Sequence, residues 1–262
     1  MKIVVTVKLV PDTSAEKRID PATKRLVRSG VETVLNPFDE YALEAALRLR
    51  EQAGEGTTVT VATVGPESGR EIVRKALAMG ADDAAMLADD GVAGSDVFGT
   101  AYALAHLIRK IGFDLVLTGT QSTDAITGEL PGALAEMLGV PALTYLRKLE
   151  FDGAALRAER ETDSGFLRVR SPLPALASIA KSFGEPRYPS LKGIMGAKKK
   201  PIAVFPLAEL GLEHPIGSDG AKTELTALAS PPPRGKGRVV EVADGTEGAR
   251  VIVAFLQERK LL

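Results

Sequence analysis

The segment from Gly119 to Glu129 holds the densest group of side chains that could bind a small polar ligand. It places hydroxyls, an amide, a carboxylate and a glycine between an apolar β-branched run and a helical pattern. Backbone N–H groups at a helix N-terminus attract phosphate, and the hydroxyls of Ser122 and Thr127 can add donors. The same residues also fit an ordinary polar loop in which Thr127 caps the helix. The spacing matches neither a Walker A loop nor G-x-G-x-x-G, so both interpretations stay open.

Two further loops could reach the same ligand. Asn36-Pro37-Phe38 precedes a helical pattern, and Gly65-Pro66 follows a β-branched run. Phe38 could stack on a purine or a flavin, although a hydrophobic staple or simple core packing also explains it and is the commoner use. The carboxyl ends of parallel strands share one edge of a sheet. Three loops from three strands would therefore form a nucleotide cleft there.

Composition excludes several classes of chemistry. The 262 residues contain no cysteine and no tryptophan, which rules out disulfides, Fe–S clusters, cysteine-rich zinc sites and thiol nucleophiles. The 33 basic and 34 acidic side chains give a formal net charge of −1, which argues against broad electrostatic binding to nucleic acid. The two histidines, His106 and His214, have no sequence neighbours that suggest a triad or a metal site.

The apolar segments are short. The N-terminal run Ile3–Val7 is too brief for a secretory signal and is followed by charged residues. No stretch approaches the roughly 18 apolar residues of a membrane-spanning helix. We therefore expect a cytoplasmic protein that is not embedded in a membrane, and the lack of cysteine is consistent with a reducing compartment.

An alternation of strands and helices positions the three loops. Apolar or β-branched runs predict strands, and helical spacing predicts helices. Such repeated strand–helix units specify a mostly parallel, doubly wound sheet with helices on both faces, and the N-terminal strand suits its centre. The expected strands are 3–7, 57–64, 84–88 and 114–119, and the expected helices begin at Asn36 or cover 72–79, 97–111 and 128–138.

The pattern changes after residue 143, where four short strands follow one another without helices between them. We expect these strands, at 143–151, 155–161, 166–169 and 175–179, to be antiparallel additions to the same sheet, with Asp152-Gly153 as a hairpin turn. Beyond Lys181, segments rich in Gly and Pro, including Pro231-Pro232-Pro233, predict an extended arm. A final helix is expected at about 245–259.

Several segments, in order along nearly the whole chain, resemble the beta subunit of electron transfer flavoprotein. Any one segment would be weak evidence for the family, but the occurrence of all of them in the same order is specific. The segments are Val5–Lys8, Asn36–Glu44, Ala76–Asp82, Gly119–Asp124, Glu159–Glu161, and Glu185–Tyr188 through Ile194–Met195 to Lys198–Lys200.

The resemblance implies a heterodimer with an alpha subunit that holds a redox-active FAD. Such a heterodimer takes electrons from flavin dehydrogenases, such as acyl-CoA dehydrogenases, and passes them to a quinone oxidoreductase or another acceptor. The beta subunit would be an electron-carrier subunit without catalytic residues of its own, and it would hold a structural AMP. By the resemblance, Phe38 would also approach the flavin, and the AMP contacts are Thr6, Asn36, Pro37, Phe38, Asp39, Val64, Gly119, Gln121, Ser122, Thr123, Asp124 and Thr127.

The resemblance also implies a division of the chain. Residues 1–180 would form the α/β AMP-binding domain, 181–200 the dehydrogenase-recognition loop, and 201–262 a C-terminal arm that contacts the alpha subunit. An exposed leucine, Leu191, matches the apolar anchor of the recognition loop and offers one hot spot for a partner's pocket. The remaining partner-binding residues would be Tyr188, Ile194 and Met195 in that loop, and Arg160 and Glu161, which match a structural arginine and an interdomain ion pair.

Three alternatives accompany this interpretation. Electron-bifurcating members hold a second FAD where others hold AMP, but the 119–128 loop is shorter than theirs and lacks their acidic cluster, which favours AMP. An ATP-using enzyme of the adenine-nucleotide α/β class would need a pyrophosphatase-type glycine loop and catalytic bases. A nucleotide-sensing module of the universal-stress type shares the strand–helix alternation but not a long C-terminal arm.

Overall fold

The computed structural model describes residues 1–28, 30–227, 232, 235 and 237–262, which divide into two compact units, Met1–Thr226 and Ala227–Leu262. The strands are β1 Lys2–Thr6, β2 Leu9–Pro11, β3 Ile19–Asp20, β4 Arg25–Leu26, β5 Thr33–Leu35, β6 Thr58–Gly65, β7 Asp83–Ala88, β8 Leu115–Gly119, β9 Ala142–Phe151, β10 Ala155–Thr162, β11 Gly165–Pro172, β12 Ala175–Ile179 and β13 Ala203–Phe205. The helices are α1 Pro37–Ala53, α2 Arg70–Met79, α3 Val97–Ile111, α4 Leu130–Leu138, α5 Leu191–Ala197 and α6 Gly245–Glu258.

Strand β1 lies at the centre of the main sheet, as the sequence predicts. Among the described residues the strand order is β11-β10-β9-β12-β8-β1-β6-β7-β13, and β1 is parallel to both of its neighbours. Its side chains alternate between two cores: Ile3 and Val5 belong to one, and Val4 belongs to the other. A strand covered on both faces has no polar side, which explains the continuous β-branched run.

Two helical layers cover the sheet. Helices α1 and α2 pack on one face, where Leu43 and Leu47 join the core that contains Val5. Helices α3 and α4 pack on the other face, where Leu104 and Leu134 join the core that contains Val4. The predicted α/β architecture, a mostly parallel sheet between helices, is therefore confirmed.

Strand β12 differs from the sequence expectation. It runs parallel to both β8 and β9, so the prediction of an antiparallel strand at 175–179 is wrong. All five of its residues are buried, which is typical of a central strand in a parallel sheet. Within the described strands of the main sheet, antiparallel pairing occurs in the β9-β10-β11 meander, where the predicted hairpin turn at Asp152-Gly153 joins the first two strands.

The residues just after 201 pack inside the first unit. Strand β13 pairs with β7 at the sheet edge, and Leu210 and Ile216 are buried in the α3–α4 core. His106 belongs to this packing, because its Nδ1 lies 3.1 Å from the carbonyl oxygen of Leu210. Of the predicted Pro231-Pro232-Pro233 segment, Pro231 and Pro233 lie outside the described residues.

The second unit contains helix α6, whose start is fixed by its own residues. The backbone N–H of Glu247 donates to Asp244 Oδ1 at 2.8 Å, and the N–H of Ala243 donates to Glu247 Oε2 at 2.7 Å. The first bond is the N-cap half of a capping box, and the second holds the residue that precedes the N-cap. No residue of α6 is buried by the described parts of the chain. None of the described helices is both long enough and apolar enough to cross a membrane.

Candidate functional site

The loops after β6 and β8 and the residues after β1 lie side by side at one edge of the sheet, because these strands are parallel neighbours. The Asn36-Pro37-Phe38 loop follows β5 and joins this edge, since the backbone N–H of Asn36 donates to the carbonyl oxygen of Lys8 at 2.9 Å. Thr6 is buried at the end of β1, and Val64 is half-buried near the end of β6. Gly119 closes β8 and begins the loop that leads to α4. The topology therefore brings together the three loops that the sequence singled out.

Asn36 connects the start of α1 to the loop after β8. It occupies the predicted N-cap position, but its side chain makes no capping hydrogen bond. Its amide nitrogen instead donates to the carbonyl oxygen of Gln121 at 2.9 Å, and its Oδ1 accepts the backbone N–H of Thr123 at 3.3 Å. Asn36 is only 1% exposed, so these bonds form in a region of low dielectric, where they hold the loop firmly.

Asp39 joins the ends of β1 and β8. Its carboxylate accepts the backbone N–H of Lys8 at 2.8 Å and also that of Gly119. Burial raises the pKa of the Asp39 carboxyl to about 7, although the hydrogen bonds from Asn36, Lys8 and Gly119 act in the opposite direction. The carboxyl group is thus a structural link whose charge changes near neutral pH.

Gly119 allows the end of β8 to approach the start of α1 very closely, at Phe38 and Asp39. A Cβ atom on Gly119 would lie 2.6 Å from Asp39 Oδ1 and 2.8 Å from the backbone carbonyl carbon of Phe38. Any side chain at this position would push the start of α1 away from β8. Pro37 supplies the first helical residue, which suits its fixed φ, and Phe38 is half-buried beside the loop.

Asp124 is the charged centre of the loop. Lys8 Nζ lies 2.7 Å from one carboxylate oxygen and Arg28 Nη2 lies 2.6 Å from the other, and the Asp124 side chain is fully shielded from solvent. Burial opposes its ionisation, but Lys8, Arg28 and Ser122 outweigh burial and hold the pKa of Asp124 well below its usual range. Lys8 Nζ also donates to Ser122 Oγ at 3.2 Å.

The segment between β2 and β5 contributes a second layer of cations. These two strands pair with each other, and the chain between them carries Lys17 and Arg28 back to the loop after β8. Lys17 Nζ donates to the carbonyl oxygen of Thr123 at 2.9 Å. Three cations therefore converge on one loop, and two of them bind Asp124; the other carboxylate of the loop, Glu129, lies at its far end before α4.

One polar atom in the loop lacks a protein partner. The side-chain oxygen Oγ1 of Thr123 is buried and unpaired within the described part of the chain. A buried hydroxyl without a partner carries a desolvation cost that a bound polar ligand removes. Together with the surrounding cations, this hydroxyl fits the phosphate or ribose of a nucleotide. Thr127 lies farther along the loop and is exposed.

Sequence reasoning missed the roles of Lys8, Lys17 and Arg28. Lys8 had a usable signal, because a lysine directly after a buried strand must lie at the ligand edge of a parallel sheet. Lys17 and Arg28 gave no such signal, since they reach the loop from positions 106 and 96 residues before their partners. Their placement depends on how the β2–β5 segment folds back.

The recognition-loop candidates form a separate exposed patch around α5. Tyr188 is 93% exposed, Leu191 82% and Met195 71%, whereas Ile194 is partly covered at 43%. Ser190 caps the helix by accepting the N–H of Gly193 at 3.0 Å. Leu191 is therefore presented at the first turn of a capped helix.

Ion pairs and backbone contacts fix this patch to the main unit. Arg187 donates to the buried Glu44 at 2.8 Å and also pairs with Glu51. On the other side of α5, Arg74 Nη1 donates to the carbonyl oxygen of Ala197 at 2.6 Å. The apolar side chains thus project from a firmly held platform.

Arg160 and Glu161 both bond within the chain. Arg160 donates to the carbonyl oxygens of Thr144 at 3.1 Å and Ala142 at 3.2 Å, which ties β10 to β9 beside a register shift. Glu161 accepts a hydrogen bond from the hydroxyl of Ser182. Arg160 therefore has a structural use, whereas Glu161 keeps further acceptor capacity at the surface.

Comparison with known proteins gives a consistent result over the full chain. The Electron transfer flavoprotein domain matches residues 23–210. The chain is 44% identical over 265 residues to the Electron transfer flavoprotein subunit beta of Mycobacterium tuberculosis, and the alignment covers 99% of both chains. It is 38% identical over 259 residues to the protein of the same name from Megasphaera elsdenii, covering 96% of this chain and 95% of the relative. It is also 36% identical over 264 residues, with full coverage of both chains, to the Caffeyl-CoA reductase-Etf complex subunit CarD of Acetobacterium woodii.

Proposed function

The chain belongs to the electron transfer flavoprotein beta-subunit family, and from that premise we propose that it forms a heterodimer with an electron transfer flavoprotein alpha subunit. FAD, held mainly by the alpha subunit, supplies the redox chemistry of this assembly. The heterodimer carries electrons from flavin dehydrogenases, such as acyl-CoA dehydrogenases, to a quinone oxidoreductase or another acceptor. Full-length similarity to named beta subunits supports this role. We place the assembly in the cytoplasm, in keeping with a chain that has no cysteine.

The beta subunit holds AMP at the edge formed by β1, β6 and β8. The observation that carries this proposal is the unpaired, buried Oγ1 of Thr123 in a loop that Asn36 fixes from two sides. The excess of cations over ionised carboxylates around the loop complements the negative charge of a phosphate. Lys8, Lys17 and Arg28 supply that excess around Asp124.

Three regions of the chain face the flavin and the protein partners. Phe38 lies between Asn36, which bonds to the loop, and Asp39, which bonds to the backbone N–H of Lys8, so an occupied loop sets the position of its ring toward the flavin. The patch around Leu191 serves as the docking point for dehydrogenases, because a single exposed apolar anchor on a rigid platform suits several partners of modest affinity. The residues of the second unit contact the alpha subunit.

The chain acts as a carrier subunit, so its own residues bind and orient rather than transfer protons. Asn36 and Asp39 hold the loop, Gly119 allows α1 to approach β8, and the cations neutralise phosphate. No step assigned to this chain requires a nucleophile or a general base.

The test is purification of the chain together with its alpha subunit, followed by nucleotide release and chromatography. We expect one heterodimer with about one FAD and one AMP. Two FAD and no AMP would instead establish the electron-bifurcating form, and no adenine nucleotide would contradict the AMP proposal. The isolated chain tests the other two classes, because ATP turnover indicates an enzyme and self-association without alpha-subunit binding indicates a nucleotide-sensing module.

A further inference from the structure

Tyr145, in strand β9, has a backbone conformation that is unusual for an aromatic residue. Its φ is 57°, in the left-handed region that bulky L-residues rarely adopt. It lies where the register between β9 and β12 shifts. Its backbone N–H donates to Ser178 Oγ at 2.9 Å, and Ser178 is fully buried. The strained conformation is therefore held in place by a specific hydrogen bond from the neighbouring strand.

Burial of the ring does not compensate for this strain, because Tyr145 remains 45% exposed. Strained residues persist where the surrounding structure holds them, and they concentrate at binding sites. A second residue of this kind, Ile126, has a φ of 55° and is 59% exposed in the loop after β8. Both residues belong to the same edge of the sheet as the proposed nucleotide site.

The hydroxyl of Tyr145 lies at the Thr127-Gly128 turn. Gly128 has a φ of 68°, and a Cβ atom there would be 3.2 Å from the Tyr145 hydroxyl oxygen. A side chain at Gly128 would therefore press on the phenol. Among the described residues, the side-chain hydrogen bonds that fix this edge do not use the Tyr145 hydroxyl, so it can donate to a ligand.

We propose that the Tyr145 hydroxyl donates a hydrogen bond to the phosphate of the nucleotide bound at the 119–128 loop. This inference rests on the proposed function, and it adds a binding residue from a strand outside the three loops described above. The unpaired Oγ1 of Thr123 independently indicates a ligand in the same loop. A phosphate accepts hydrogen bonds from both hydroxyls more strongly than a neutral group does.

The test compares AMP with adenosine, which differs from it by the phosphate. Tyr145→Phe removes one oxygen atom and keeps the ring and the backbone conformation. Calorimetric titration of the nucleotide-depleted heterodimer should show AMP binding about tenfold weaker or more, the usual effect of losing a hydrogen bond to a charged group. Adenosine should bind the variant and the wild type equally. Tyr102→Phe, which removes a hydroxyl that accepts the backbone N–H of Glu213 at 3.0 Å, is the control and should change neither affinity.

The ratio of AMP to adenosine affinity separates a phosphate contact from a general loss of structure. An unchanged ratio in Tyr145→Phe overturns the inference, whether or not the variant is less stable. A wild-type heterodimer that binds neither AMP nor adenosine refutes the proposed nucleotide site itself. A wild type that binds AMP, with a Tyr145→Phe variant that binds it equally well, refutes the role of Tyr145 alone.

Discussion

The guanidinium of Arg28 lies 2.6 Å from the carboxylate of Asp124, although the two residues are 96 positions apart in the chain. Lys8 holds the other carboxylate oxygen at 2.7 Å. The contact ties the segment between β2 and β5 to the loop after β8. The conformation of the proposed nucleotide loop therefore depends on a segment that is distant in sequence and is not part of the central sheet.

Removal of Lys8 should destabilise the protein more than removal of Arg28. Lys8→Met leaves the shielded Asp124 carboxylate with one cation and frees Ser122 Oγ, and we expect a loss of about 3 kcal/mol in the free energy of unfolding. Arg28→Met keeps the Lys8 contact, and Arg28 is half-exposed, so we expect about 1 kcal/mol. Urea denaturation measures both.

Lys75→Met is the control for these two variants, because it breaks a surface pair with Glu40 whose side chains are 44% and 24% exposed. Its effect should stay below about 1 kcal/mol. If Lys8→Met costs no more than this surface variant, the cation cluster does not stabilise the loop.

Asp39 should make stability fall as pH rises toward neutrality. Burial raises its folded-state pKa to about 7, above the unfolded value of about 4. The folded state therefore binds more protons between these two values, and stability declines from pH 4 to pH 7 and then levels off. Relative to Asp39→Asn, the wild type should lose up to about 4 kcal/mol across this range.

Denaturation of both proteins at a series of pH values measures this difference, and a difference that does not vary with pH would contradict it. Asp20 provides the control, because the backbone N–H of Ala22 lowers its pKa. A carboxyl whose folded-state pKa is lowered stabilises the protein at pH values above its unfolded pKa. That stabilisation is lost only as the pH falls below the unfolded pKa. Asp20→Asn should therefore leave the slope between pH 5 and pH 8 unchanged.

Gly119→Ala should disturb the junction between α1 and β8. The added methyl would lie 2.8 Å from the Phe38 carbonyl carbon, which is backbone and cannot move aside cheaply. We expect a loss of about 2 kcal/mol or more in the free energy of unfolding, together with a lower AMP content of the heterodimer.

Gly132→Ala is the matched control, because Gly132 lies in α4 and a Cβ there has nothing within 4 Å. Alanine should stabilise that helix by about 0.5–1 kcal/mol. Thermal unfolding should therefore move in opposite directions for the two variants, and a Gly119→Ala protein as stable as the wild type would show that the junction has room.

Leu191→Ala should slow electron transfer from dehydrogenases without affecting the cofactors. Leu191 is 82% exposed and contributes little to folding, so stability, FAD and AMP should stay unchanged. Loss of a hot-spot side chain typically weakens binding tenfold or more, and stopped-flow reduction at low dehydrogenase concentration should slow by about that factor. Leu225→Ala, at a 49% exposed leucine of the same unit, should reduce normally. An unaltered rate for Leu191→Ala would place the docking site elsewhere.

The central sheet could be predicted from sequence because its strands are buried on both faces and read as continuous apolar runs. The segment 175–179, Ala-Leu-Ala-Ser-Ile, is interrupted only by Ser178, and all five of its residues are buried in the central strand β12. The position of that segment after a meander suggested an antiparallel strand instead. Pairing partners depend on the path of the chain, which local pattern does not encode.

The site was predictable to a similar extent. Loop positions followed from the rule that strand ends of a parallel sheet share an edge. The use of each side chain did not follow: Asn36 has the sequence context of a helix cap, yet it bonds to Gln121 and Thr123. A capping residue becomes a bridge only when another loop passes within reach, and that is a tertiary property.

The hydrogen bonds at the start of α6 bear on the proposed association of the second unit with the alpha subunit. Isolated helices of about this length are marginal in water, and none of the α6 residues is buried by the described chain. Asp244 satisfies the N–H of Glu247, and the Glu247 carboxylate holds Ala243 just before the N-cap. These local bonds favour a partly formed helix before any partner arrives. Part of the ordering entropy is then lost during folding rather than during association, which leaves fewer conformations to search in the encounter complex.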